Sequence, residues 1–326
     1  MGIAFKRLEF ADLTALKKRN EGLWKNIPVF LMPAWLEAWW KTLRGNSELL
    51  LGAIESGGSI IGIVPLRREG DNAYFIGDEN VCDYLDFIVE EGNEVGFYHT
   101  LMNELSNRGI KNLSLESLRY DSTVFRKMEA ITQNNGQKSK LIENNVSMEL
   151  DLPTSWQDYL NRVLSAKQRH EIKRKLRRLE EIGGYSYIVY QSREVIMKRL
   201  DSFITMFKED PRKNEFLSPK REDFFRTMVE EMTGSGLLRL GTLCLNNNEV
   251  AAVLYFDYNN NIYLYNSAYE HHYDWLSVGL LSKVFCVKNA IELGRSRFDF
   301  LKGAEEYKYR MGGREIKLYT YLIELD

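Results

Sequence analysis

Cysteine is scarce: Cys82, Cys244 and Cys286 are the only three in 326 residues. They are odd in number and far apart, so neither a disulfide framework nor a CxxC metal site fits, and a reducing cytoplasmic setting is expected. Long apolar runs are missing too. None approaches the roughly 18 residues a membrane helix needs, and no signal peptide opens the chain, so a cytosolic protein without a transmembrane segment is expected. There is no surplus of positive charge, the net charge being −2. That excludes a globally basic nucleic-acid binder but not a local basic patch. No Ser/His/Asp or Cys/His pattern for a covalent triad is found, and no P-loop or dinucleotide fingerprint. His271, His272 and Asp274 crowd one loop rather than one face of a helix or strand, so no metal is expected there.

Hydrophobic residues make up 44% and charged residues 28% of the chain, the balance of a soluble globular protein, and the length calls for two lobes. The pattern opens with a strand over 3–10 and a helix over 11–22. A second helix starts at Pro33, where the missing N–H is harmless, with Trp35, Trp39 and Leu43 on one face. Strands over Leu49–Ile54 and Ile60–Leu66 flank a Ser56-Gly57-Gly58 hairpin turn. Ala73–Ile76, a helix over 94–108 and a strand at Asn112–Leu115 follow, and the lobe boundary is expected at 150, dividing the chain into 1–150 and 151–326. The second lobe begins with a basic helix over 165–184. There Lys167, Arg169, Lys173, Arg174, Lys175, Arg177 and Arg178 outnumber Glu171, Glu180 and Glu181, above a thin stripe of Ile172, Leu176, Leu179 and Ile182. This is either a solvated face or a contact for an anionic substrate or phosphate, with Arg169 as a candidate. Next come a strand at Tyr185–Tyr190, helices over 193–209 and 219–234, and strands Leu238–Leu245, Val250–Tyr258 and Ile262–Tyr269 joined by Asn-rich turns. A helix over 278–293 and a last strand through Lys317–Leu325 complete the pattern.

Between those last two elements stands Arg297-Phe298-Asp299-Phe300-Leu301-Lys302-Gly303-Ala304-Glu305-Glu306-Tyr307-Lys308. An acid in mid-strand is costly to bury unless something pairs with it, and a strand ending in a glycine and a polar turn is a common active-site layout. The chain also repeats itself. Phe30-Leu31-Met32-Pro33 recurs 186 positions later as Phe216-Leu217-Ser218-Pro219, and Gly109 and Gly294 each end a helix before a strand. One α/β lobe duplicated in tandem is the simplest reading. The first-lobe counterpart of the Asp299 strand, Asn112–Leu115, has no acid, which ties Asp299 to the second lobe's specialisation.

The second lobe's order of strand, two helices, three-strand meander, helix and strand resembles the GNAT acyltransferase fold. With the Ser165–Arg178 pattern, Phe298-Asp-Phe-Leu-Lys-Gly303, Glu306-Tyr-Lys308, Leu31-Met-Pro-Ala-Trp35, Val64-Pro65-Leu66 and Asp83-Tyr84-Leu85-Asp86, the chain looks like the cellulose-biosynthesis-type (CelD/BcsL-like) GNAT acetyltransferases. These are cousins of the Fem-type peptidyltransferases. The resemblance implies an α/β (α+β) protein of two tandem GNAT-like lobes, each a mixed, mostly antiparallel sheet flanked by helices. It implies acetyl-CoA or another acyl-CoA in a splay between Tyr263–Tyr269 and Arg297–Leu301. Cofactor contacts would come from Asn266, Ser267 and Ala268, and from a helix start at Ser277, Val278, Gly279 and Leu280 that receives the pyrophosphate. Of the usual Gly-x-Gly-type phosphate loop only Gly279 is present.

The expected reaction is attack of an amine or hydroxyl on the thioester. Asp299 is the candidate base or orienting acid, Tyr269 and Tyr307 are candidate proton donors, and Lys308 holds an anionic part of the acceptor or pairs with Glu305. Asp83, Tyr84, Asp86, Arg169 and Glu305 are candidate acceptor contacts, with the acceptor in a cleft between the lobes. A cell-surface polysaccharide, sugar or lipid precursor is the acceptor class implied. Two alternatives stay open: a Fem-type transferase using aminoacyl-tRNA, which the basic helix would suit, and a non-catalytic GNAT pair that binds nucleic acid or polymer.

Overall fold

The computed structural model describes residues 2–134 and 136–325. It divides into two compact units, residues 1–145 with 317–326, and Val146–Ile316. The first unit holds β1 (Ile3–Arg7), α1 (Phe10–Arg19), α2 (Pro33–Leu43), β2 (Glu48–Ser56), β3 (Ser59–Glu69), β4 (Asn72–Phe75), β5 (Ile88–Val89), α3 (Glu94–Asn107), β6 (Asn112–Arg119) and α4 (Glu129–Asn134). β7 (Ser139–Asp151) carries the chain into the second unit. There follow α5 (Trp156–Asp158), α6 (Ala166–Ile182), β8 (Tyr185–Tyr190), α7 (Arg193–Lys208), α8 (Pro211–Phe216), α9 (Pro219–Gly234), β9 (Leu238–Leu245), β10 (Asn248–Tyr258), β11 (Asn261–Tyr269), α10 (Val278–Glu292), β12 (Arg297–Lys302) and α11 (Glu306–Arg310). β13 (Arg314–Glu324) returns to the first unit.

In the first unit the strand order is β1-β2-β3-β4-β6-β13, and in the second β8-β9-β10-β11-β12-β7. All neighbours are antiparallel except β4 with β6 and β11 with β12, which are parallel. The same run of elements therefore occurs twice, as the sequence repeat predicts. Two-residue turns set the hairpin registers. Gly57-Gly58, Asn246-Asn247 and Asn259-Asn260 all have positive φ, the geometry whose twist matches that of paired strands.

The boundary differs from the expected 1–150 and 151–326. Both β6 and β12 need an antiparallel partner on their far side. β12 takes Ser147–Asp151 of β7, the stretch that opens the second unit. β6 takes Leu318–Glu324 of β13, the end of the chain. A pattern of hydrophobicity cannot say which strand partners which, so the exchange is invisible in a linear reading. Two smaller differences arise at helix ends. β1 is shorter than expected because a Glu9–Asp12 capping box starts α1 at Phe10. Asp210 accepts from the Arg212 N–H and, with Pro211 at the first turn, starts α8, a short helix the periodicity does not reveal.

In the second unit Phe298 and Phe300 join Val253, Tyr255, Leu264, Val284, Val287 and Ile291 in one core, with Ile172 of α6 buried against them. The basic helix is thus docked along Ile172 and Leu179, while Ile182, expected in the same stripe, is exposed. Its Ser165 cap and Gln168 form a reciprocal capping box.

Candidate functional site

The site begins where a ladder ends. β11 and β12 pair in parallel through Asn261–Arg297, Ile262–Phe298 and Tyr263–Asp299. Both strands then go on, to Tyr269 and to Lys302. A bulge at Leu254/Tyr255 in the β10–β11 register and a second between Asp299 and Leu301 in β12–β7 turn the strands at the point of divergence, as bulges do. Backbone groups released from the ladder still need partners. Some find lysines: the Ser267 carbonyl accepts from Lys213 Nζ at 2.5 Å. The carbonyls of Leu301, Lys302 and Gly303 accept from Lys308 Nζ at 3.1, 2.7 and 3.2 Å.

Asp299 makes the second bulge. Its carboxylate Oδ1 accepts the Leu301 N–H at 2.7 Å, and Leu301 sits at φ 61°. A left-handed leucine costs about 1–2 kcal/mol, which a charge-assisted bond across the bend offsets. Asp299 is 1% exposed. The carboxylate is turned onto its own chain, a strand-bending role that stands beside the expected one of base or substrate-orienting acid. Lys308 is likewise occupied. Buried in α11, it collects the three carbonyls and pairs with Glu305 at 2.8 Å, clamping the turn after β12. Gly303 in that turn has φ +107°, and a Cβ there would lie 2.5 Å from Glu305 Oε2. The internal pairing with Glu305 is the alternative the sequence left open for Lys308, and the amine has no valence left for an acceptor.

Two further lysines lie beside this turn and were not anticipated. Lys213 of α8 lies over the Phe207 ring at 5.0 Å, and burial lowers its pKa. Lys283 of α10 is 7% exposed. Its Nζ donates to the Gly279 carbonyl at 2.7 Å and lies 5.0 Å from the Tyr307 ring centre. Burial, with the Lys213 charge next in weight, pulls its pKa from 10.5 down to about 7. A lone cation inside Leu280-Leu281-Ser282-Lys283-Val284 was the available signal. Lys213 had none, since α8 itself was not foreseen.

Around the α10 start, Ser277 takes a left-handed conformation, φ 58° and ψ 38°, and its Oγ accepts from Lys175 Nζ of α6 at 2.5 Å. Glu171, one turn before Lys175, is held down to about 2 by Arg174 and Lys175. Gly279 is packed so closely that a Cβ would fall 2.6 Å from the Tyr269 ring. That ring stacks on His271 at 4.8 Å. Burial raises the hydroxyl pKa of both Tyr269 and Tyr307. Val278 and Ala268 are buried, while Leu280, Asn266 and Ser267 are half-buried. Among the described residues no group of three or more His, Cys, Asp or Glu could hold a metal ion.

The structure thus gathers Ser267, Tyr269, Ser277, Gly279, Glu305, Tyr307 and Lys308 into one neighbourhood of the second unit, linked by the bonds above. Arg169 is half-buried on α6. Asp83, Tyr84 and Asp86 belong to the first unit, and two of them serve its interior. Asp86 is buried and accepts from Thr123 N and Oγ1, Val124 N and Phe87 N. Tyr84 is buried against Phe30 and under Arg119. Tyr84 and Asp86, expected to meet an acceptor, are thus both buried in the first unit's interior. Asp83 is half-buried.

Residues 166–309 match the acetyltransferase (GNAT) domain family model. The match spans α6 to α11 and so contains the diverging strands, the α10 start and all four lysines. Among solved structures the chain is similar to FemX, at 12% identity and a TM-score of 0.65, covering 97% of this chain and 96% of that one. It is similar to L-PGS from Bacillus licheniformis, at 13% identity and a TM-score of 0.58, covering 95% and 90%. It is also similar to a tandem GNAT protein from the clavulanic acid biosynthesis pathway, at 13% identity and a TM-score of 0.50, covering 99% of both chains. At these identities the likeness is one of fold: two GNAT-like units in tandem. No curated protein matches the sequence.

Proposed function

We propose that the protein is an acyl-CoA-dependent N- or O-acyltransferase whose donor, acetyl-CoA or a longer acyl-CoA, lies between the diverging β11 and β12 of the GNAT domain. The observation that carries this reading is the parallel ladder that stops at Tyr263–Asp299 while both strands continue, with the start of the 15-residue helix α10 close by, where Gly279 packs on Tyr269. Acyl-CoA supplies an activated thioester. The protein's part is to bind and orient it. N–H groups of the first turn of α10 favour a phosphate, and Lys175, already on Ser277, adds a fixed cation. Backbone N–H groups of Asn266–Ala268 face the role of oxyanion donors. Tyr269 and Tyr307, whose hydroxyls burial keeps protonated, are hydrogen-bond donors to the leaving sulfur. The acceptor class, a surface-polysaccharide, sugar or lipid precursor, follows the cellulose-biosynthesis-type resemblance, and a cytoplasmic location follows the few, widely spaced cysteines. No helix among the described residues is long and apolar enough to cross a membrane.

A second reading, aminoacyl-tRNA as donor, draws on the exposed Lys167, Lys173, Arg177 and Arg178 of α6. Thermal shift with acetyl-CoA, longer acyl-CoAs and aminoacyl-tRNA separates the two. A ligand at 100 times its Kd adds about 2.7 kcal/mol, an easily read displacement. Stabilisation by tRNA and by no CoA species would replace the first reading with the second.

A further inference from the structure

The α10 segment Val278–Val287 is apolar apart from Ser282 and Lys283. A lysine buried for structural reasons is normally paired, as Lys308 is with Glu305. Lys283 has no carboxylate within ion-pair distance among the described residues. Its Nζ instead meets the Gly279 carbonyl, at 2.7 Å, and the Tyr307 ring. The charges that face it are Lys213 from α8, Lys308 from α11 and Glu305 from the turn between β12 and α11; the Cys286 thiol shares its helix. Cys286 is pushed up to about 12 by burial and Tyr307 is raised as well, so both are neutral at neutral pH. Burial first, and the Lys213 charge after it, shift the Lys283 amine towards its neutral form. A methionine would fill the same space without the desolvation cost, so the amine calls for a chemical reason.

Its position supplies one. Lys283 reaches back to the first turn of α10, lies over Tyr307 beyond the end of β12, and is electrostatically coupled to Lys213, which is bonded to Ser267 on the diverging β11. We propose that Lys283 is the proton acceptor of the transfer. Its neutral Nζ takes the proton from the attacking amine or hydroxyl of the acceptor as the new N–C or O–C bond to the acyl carbon forms. The same ammonium returns that proton to the thiolate released when the C–S bond breaks, so nothing is left over and no further reactant is needed. This rests on the acyl-thioester reading above. Lys213 is a positioning residue, fixed on the Ser267 carbonyl and biasing Lys283 towards its neutral form.

The test uses the full chain labelled with 13C and 15N at lysine, with Lys283 assigned by comparison with Lys283→Arg. The Lys283 side-chain shift is followed across the neutral and alkaline range, without ligand and with saturating acetyl-CoA, whose binding is checked by thermal shift. The expected titration midpoint is about 7, and the resonance moves when acetyl-CoA binds. A midpoint in the ordinary lysine range near ~10 overturns the proposal, and so does a resonance indifferent to bound acetyl-CoA. Lys283→Met is expected to bind acetyl-CoA with unchanged KM and to release thiol at least ~100-fold more slowly; equal release overturns the role. An acetyl adduct on Lys283, found by mass spectrometry, would make it a nucleophile instead. Absence of acetyl-CoA binding by the wild type would sink the donor reading, and this step with it, whatever the midpoint.

Discussion

Replacing Lys283 with methionine is expected to stabilise the protein, more at neutral and acid pH than at alkaline pH. Lowering a lysine pKa from 10.5 to about 7 means that the unfolded chain binds more protons than the folded one between those two values. Stability therefore rises with pH across that window, and the penalty is fully developed below it. At pH 7 the cost of the buried amine is on the order of 4 kcal/mol, and at pH 9 on the order of 2 kcal/mol. A well-packed methionine removes the charge while losing about 1 kcal/mol or less in shape complementarity. The Gly279 carbonyl keeps its helical partner, the backbone N–H of residue 283. Urea unfolding of wild type and Lys283→Met at both pH values gives the difference directly, since other titrating groups cancel between the two proteins. The variant should lead by about 3 kcal/mol at pH 7, and the lead should shrink by about 2 kcal/mol at pH 9. Parallel pH dependences would mean that the amine is solvated and ordinary, and the reasoning about its burial would fail.

Other consequences follow from single contacts. Asp299→Ala leaves the left-handed Leu301 amide without its acceptor and should cost about 1–3 kcal/mol in urea unfolding, whereas Asp299→Asn, which keeps an acceptor, should cost less; the reverse order would contradict the strand-bending role. Lys308→Met removes the donor shared by Leu301, Lys302 and Gly303. Hydrogen exchange of the 301–306 amides should quicken at least ~10-fold, and unchanged protection would show that the clamp is dispensable. Gly279→Ala drives a methyl into the Tyr269 ring and should cost about 1–3 kcal/mol, a loss that Tyr269→Leu relieves in the double variant if the clash is its cause.

Much of the fold was legible because periodicity reports it well. The meander β9–β10–β11 with its Asn turns, the helix α10 and the repeat were all visible in the order of apolar residues and turn residues. The exchange of β7 and β13 was not, because strand partnership is a long-range choice that leaves no local mark. At the site, the neighbourhood was foreseen and the roles within it shifted. Asp299 and Lys308 stand out in the sequence as polar residues in an apolar setting, and both are buried there, one bonded across a strand bend and the other to the turn after it. Lys283 carried the same signal, a charge in an apolar run, but was read as part of the helix. Lys213 depended on α8, six residues long and set by a cap and a proline rather than by a hydrophobic period.

The most direct measurement is a calorimetric titration of the full chain with acetyl-CoA. Saturable binding at one site per chain is predicted, weakened about 10-fold by Lys175→Met, which removes roughly 1.4 kcal/mol of charge-assisted phosphate contact. No heat with acetyl-CoA or any longer acyl-CoA, in a protein whose unfolding transition remains intact, would contradict the assignment of the diverging strands to an acyl-CoA donor.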